Sequence, residues 1–162
     1  LWLATLIIFA IGIGIRLYDI TDEPIDFHPT RQLRGAIIAR GMYYQDLPDA
    51  DPETRALAIS HWNSTGQYEP SILEFLASRV YLLIGSEQIW VARAINTFFW
   101  TIGGIALFDL GRRMSMGIQI TQGSQSKYVI AWVTALIALG YYMVNPFGVQ
   151  ASRSFQPDPG ME

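Results

Sequence analysis

The feature that most constrains this chain is a run of 23 consecutive uncharged residues, Tyr128–Gln150. At ~1.5 Å per residue such a run makes a helix of roughly 34 Å, enough to cross a hydrocarbon core of about 30 Å. Two further stretches behave alike. Leu1–Ile15 carries no charge and passes directly into Arg16-Leu17-Tyr18, a base with a long apolar stem and an interfacial aromatic. Gln88–Phe108 contains one charge, Arg93, within snorkelling range of its end. A soluble domain of this length rarely carries three such runs. The expectation is an all-α membrane protein with spans at about 1–17, 88–110 and 128–150.

Basic residues orient the spans. The stretch Gly111–Lys127 holds Arg112, Arg113 and Lys127 and no acid, the pattern of a short cytoplasmic loop. Residues 18–70 hold nine acids against four arginines, a balance of −5, and belong on the opposite side. Ser71–Gly85 is apolar but only 15 residues long, carries Glu74 and Arg79, and is bounded by Pro70 and Gly85. Were it to cross, the Arg112/Arg113 loop would share a side with the acidic segment, so it is read as an interfacial amphipathic helix at about 71–85. The extracytoplasmic loop is then 18–87, and the tail after about 150 lies on the same face. With 11 Lys+Arg, 14 Asp+Glu and a net charge of −3, the chain lacks the basic surface that nucleic acid requires. It contains no cysteine, which fits either redox compartment.

Within the acidic loop, Pro29 biases His28 towards an extended conformation, so Asp26 and His28 are expected to project the same way. Thr30 is read as the N-cap of a bilayer-surface helix at about 30–45. Leu33, Ala36, Ile37, Arg40 and Tyr44 follow helical spacing along one side, and Arg31 and Arg34 sit a turn apart on another. Two guanidiniums near a helix N-terminus suit a phosphate, either of a substrate or of lipid headgroups. His28, Glu69 and His61 could gather a divalent metal but lack a short ligand spacing. Asn63-Ser64-Thr65 is a glycosylation sequon. Trp62, Tyr43, Tyr44 and Tyr68 read as an aromatic belt or as sugar-stacking faces, and Asn145-Pro146 as the outer break of the last span.

The order of these pieces resembles the amino-terminal part of GT-C glycosyltransferases, specifically the protein O-mannosyltransferase and lipid A aminoarabinose transferase type. The matching segments are Asp26-Phe27-His28-Pro29-Thr30-Arg31, Gly41-Met42-Tyr43-Tyr44, Tyr68-Glu69-Pro70-Ser71, the interval from Gly85 to Arg93, and Ser152-Arg153-Ser154-Phe155-Gln156-Pro157-Asp158. The family's adjacent acidic pair reads Asp26-Phe27-His28 here. The resemblance runs along all 162 residues and implies the N-terminal part of one transmembrane domain of a longer enzyme.

It also implies inverting transfer of a sugar from a polyprenyl-phosphate carrier to an acceptor hydroxyl on a lipid, glycan or protein, outside the plasma (inner) membrane. Asp26 would be the general base, with Asp158 in the tail as its competitor, and Arg31 with Arg34 would hold the lipid phosphate. A divalent metal at His28 and Glu69 remains open. Two other readings stand beside this one. In a transporter or channel fragment Arg93 and Asn96 would mark a solute path. The other is a non-catalytic membrane scaffold.

Overall fold

The computed structural model describes residues 1–25, 27–66, 70–117 and 124–155. All regular structure among them is helical: α1 (Trp2–Leu17), α2 (Pro29–Asp46), α3 (Pro52–Ser64), α4 (Ile72–Ile84), α5 (Ile89–Gly117), α6 (Ser124–Val144) and α7 (Pro146–Ser152). They divide into two compact units, Leu1–Tyr18 with Thr97–Val149, and Asp19–Asn96 with the segment from Gln150.

The first unit is a bundle of α1, α6 and the part of α5 after Thr97. Its core is Phe108, Ala135, Leu139 and Met143, flanked by Phe9, Ile13, Trp100 and Trp132. Trp2 sets its ring edge-on to Trp132 at 4.8 Å and lies 6.4 Å from Phe108, whereas Arg16 at the other end of α1 meets Met143 and Trp100. Hence α1 and α6 run parallel and α5 runs against both. Small residues permit the close approach. Gly104 faces Phe9, Leu139 and Met143, and Gly111 lies against Ala135. The outside of this unit exposes many large apolar side chains, with Leu3 70%, Leu6 65%, Phe98 61% and Ile137 68% exposed, a surface that water would penalise.

Two helices, Ile89–Gly117 and Lys127–Val144, are long and apolar enough to cross a membrane, and Trp2–Leu17 is an apolar helix of 16 residues, shorter than they are. Two of the sequence expectations change here and one holds. Helix α5 continues to Gly117, so Arg112 and Arg113 are helical rather than in a loop. Both pair with Asp109, at 3.1 Å one turn back and at 2.6 Å four residues back, contacts that favour continuing the helix. The last apolar run is broken as expected at Asn145-Pro146, where Asn145 Oδ1 accepts from Gly148 N at 3.3 Å and α7 begins. Arg16 does not snorkel: it is fully buried inside the first unit.

The second unit is built on α2, whose two sides pack against α3 and α4. Ala39, Tyr43, Leu73, Ala77, Tyr81, Val91, Ala92 and Phe155 form its core. Gly41 lets α3 approach α2, since a Cβ there would lie 2.5 Å from Trp62 Cβ. Helix α3 was not foreseen, although its start is written in the sequence: Asp51 is the N-cap and accepts from the Thr54 backbone and hydroxyl at 2.9 Å, Pro52 opens the helix, and Glu53 sits in the first turn. Arg55 of α3 then donates to the carbonyls of Tyr44, Leu47 and Pro48, closing the C-terminal end of α2. Helix α4 occupies the range expected for 71–85, ending at Gly85 in the left-handed conformation with φ 75°.

Candidate functional site

Three of the residues singled out by sequence, His28, Arg31 and Arg34, lie at the start of α2, which begins differently from expectation. His28, not Thr30, is the N-cap, and it adopts the left-handed conformation (φ 47°, ψ 62°) instead of an extended one. Pro29 keeps the residue before it out of the right-handed helical region and is itself well suited to the first helical position, which makes His28 the cap; the extended region usual before proline gives way here to the left-handed one. The left-handed turn points the His28 carbonyl along the helix, where it accepts from Arg31 N at 3.0 Å and Gln32 N at 3.2 Å. The alternation that was to align Asp26 with His28 therefore does not hold at His28. A non-glycine residue held at positive φ is costly and persists only where its surroundings fix it.

One turn of this helix anchors three separate segments. Gln32 is fully buried; its Nε2 donates to the Phe27 carbonyl at 2.6 Å and its Oε1 accepts from Phe155 N at 3.0 Å. Arg34 donates to the carbonyl of Gly66, at the end of the α3–α4 connection's described part. Gly35 lies under Phe155, whose ring atoms would be 3.1 Å from a Cβ there. The backbone next to Asp26, the connection leading to Glu69 and the tail leading to Asp158 are thus tied to residues 32–35. Asp26, Glu69 and Asp158 themselves lie outside the described residues, as does Tyr68.

Helix α5 fixes two of these segments, the one before α2 and the tail, from its first two turns. Arg93 is 1% exposed and donates from Nη1 to the carbonyls of Ile20 at 2.9 Å and Asp22 at 2.7 Å. Asn96 donates to the Ser154 carbonyl at 2.7 Å, and Ser154 Oγ donates to Ala151 O at 2.7 Å. These two side chains, which a transport reading would place along a solute path, hold backbone in register.

The sequence reading missed Gln32, whose only signal is a polar residue on the apolar side of a helix. It also missed the burial of Glu74, which is 4% exposed in the first turn of α4. Among aromatics, Tyr43 packs edge-on to Tyr44 at 4.9 Å and to Tyr81 at 5.9 Å, inside the unit rather than as an open stacking face. Burial, then the neighbouring Tyr44 and Glu87, push the Tyr43 phenol up; burial and then Glu87 do the same to Tyr81. At the N-cap of α3, hydrogen bonds from Thr54 hold the Asp51 carboxyl below the usual carboxylate range. His28 and His61 join no group of three or more possible metal ligands among the described residues.

No protein-family model, no curated protein and no solved structure matches this chain.

Proposed function

We propose that this chain belongs to a membrane glycosyltransferase that moves a sugar from a polyprenyl-phosphate carrier to an acceptor hydroxyl on the extracytoplasmic side, with α1, α5 and α6 as three alternating spans. The observation that carries the reading is what α2 holds: Gln32 and Arg34 bind the backbone at Phe27, Gly66 and Phe155, from which the chain leads in sequence to the candidate acids, beside Arg31 and a helix N-terminus. In this scheme a carboxylate removes the acceptor proton and a guanidinium steadies the departing phosphate. Asp26 is the proposed base, Asp158 its competitor, and Arg31 the main phosphate ligand. Arg34, which also holds the Gly66 carbonyl, is the second phosphate ligand. The alternating directions of α1, α5 and α6 support three spans, and their exposed apolar side chains support a bilayer around them.

The test is turnover and carrier affinity of the full protein in membranes. Asp26→Asn is expected to lower turnover by about 10²–10⁴-fold with carrier affinity retained. Arg31→Ala is expected to weaken carrier binding by roughly 1.5–3 kcal/mol, the value of a charge-assisted contact. Near-normal turnover of Asp26→Asn beside a dead Asp158→Asn moves the base to the tail. Undiminished turnover in both overturns the assignment.

A further inference from the structure

The second unit carries a groove of roughly 470 Å³ between α2 and the start of α5. Its floor is apolar: Leu33, Ala36 and Ile37, consecutive on one side of α2 as their spacing predicts, face Ile89 at the first residue of α5. Its polar lining is Arg40 and Glu87, which adjoin one another, with Gln88 and Tyr81. Arg40 Nε lies 3.3 Å from Glu87 Oε2, yet it is buried and makes no hydrogen bond, so the ion pair is close but poorly aligned. Both side chains remain partly exposed, at 43% and 38%, and a pair of this kind contributes little to stability and opens at small cost.

We propose that this groove binds a zwitterionic, amine-bearing phospholipid of the phosphatidylethanolamine type. An acyl chain lies along Leu33, Ala36, Ile37 and Ile89, the phosphate takes the Arg40 guanidinium, and the ammonium takes the Glu87 carboxylate. Charge complementarity carries the choice of occupant. The groove offers one cation and one anion side by side, which matches a headgroup holding both signs and leaves an anionic lipid opposed by Glu87. Position agrees: Gln88 and Ile89 open α5, and the entry of a spanning helix is at headgroup depth. This inference rests on the membrane part of the proposed function and is independent of the sugar chemistry.

The test is reconstitution of the full chain into nanodiscs of phosphatidylcholine containing either phosphatidylethanolamine or phosphatidylglycerol, followed by counting retained lipids by native mass spectrometry. Phosphatidylethanolamine is expected to be retained about tenfold over phosphatidylcholine, whose quaternary ammonium has no N–H to donate to Glu87. Glu87→Gln should erase that preference, and Arg40→Met should lower retention of both lipids. Leu33→Trp, at a residue 45% exposed, should block the groove without touching either charge. Equal retention of the two lipids by the wild-type chain overturns the proposal, as does a preference for phosphatidylglycerol or one that survives Glu87→Gln and Leu33→Trp. A chain that does not enter bilayers overturns the membrane reading itself, and this site with it.

Discussion

Arg16 donates from Nη1 to the carbonyl of Met143 at 2.6 Å and to that of Gly12 at 2.8 Å, joining the end of α1 to the end of α6 across 127 residues. The guanidinium also lies 5.4 Å from the centre of the Trp100 ring. A helix end leaves carbonyls without intrahelical donors, and Pro146 removes one more N–H just beyond α6. A cation delivered there satisfies acceptors and opposes the negative end of the helix dipole. An interfacial charge in the sequence becomes a buried clamp in the fold.

Arg16→Met is therefore expected to destabilise the first unit by about 1–3 kcal/mol, the cost of leaving a buried acceptor without its donor. Arg16→Lys should recover only part of this, because an ammonium lacks the planar fork. Unfolding of the two variants in detergent checks it; an unchanged midpoint for Arg16→Met would remove the clamp from the account.

Gly41→Ala places a methyl 2.5 Å from Trp62 Cβ, so α2 and α3 must separate. The expected loss is about 1–3 kcal/mol. Gly14→Ala is the control: no neighbouring atom lies within 4 Å of a Cβ there, and the change should be neutral or stabilise by about 0.5–1 kcal/mol. Comparing the unfolding free energies of the two variants separates close packing from helix propensity.

Gln32→Leu fills similar volume but leaves the Phe27 carbonyl and the Phe155 N–H without their partner, at about 1–3 kcal/mol each. Hydrogen exchange at Phe155 should accelerate while that of α6 stays unchanged. Gln32→Glu keeps an acceptor for Phe155 N and should protect it better than Leu does.

The shifted titrations set two pH limits of opposite sign. Asp51 has its pKa depressed below 3.8 by the Thr54 hydrogen bonds, so its stabilisation is present above pH 3.8 and disappears as pH falls through the lower folded-state value. Tyr81 has its pKa raised above 10.0 by burial and Glu87, so its contribution is complete below pH 10.0 and disappears as pH rises through the higher folded-state value. Tyrosine absorbance should show one late ionisation missing in Tyr81→Phe. An absorbance titration whose late phase is unchanged by Tyr81→Phe would contradict its burial.

For topology, Glu23→Cys and Lys127→Cys should label from opposite sides of the membrane, Glu23→Cys from outside intact cells. Labelling of Lys127→Cys from outside would refute three alternating spans.

The apolar runs alone determined the helical class and located α1, α5 and α6, because long, nearly uncharged runs without proline favour a helix, which satisfies its backbone hydrogen bonds locally. Helix α5 runs on to Gly117 and α6 stops at Val144. Local chemistry likewise set α4 between Pro70 and Gly85, the break at Asn145-Pro146, and the side of α2 bearing Leu33, Ala36 and Ile37. Helix α3 was equally legible, in Asp51-Pro52-Glu53, but its even mixture of polar and apolar residues gave no periodic stripe to draw attention to it. What tertiary structure alone decided is the use of the polar side chains. Arg16, Gln32, Arg93 and Asn96 look in sequence like an interfacial base, an unremarked amide and two intramembrane polar groups. Each instead binds backbone carbonyls or an N–H of a segment distant in the chain. Such partners are main-chain groups that every residue carries, so no residue type marks them in the sequence; only the fold brings them within 3 Å.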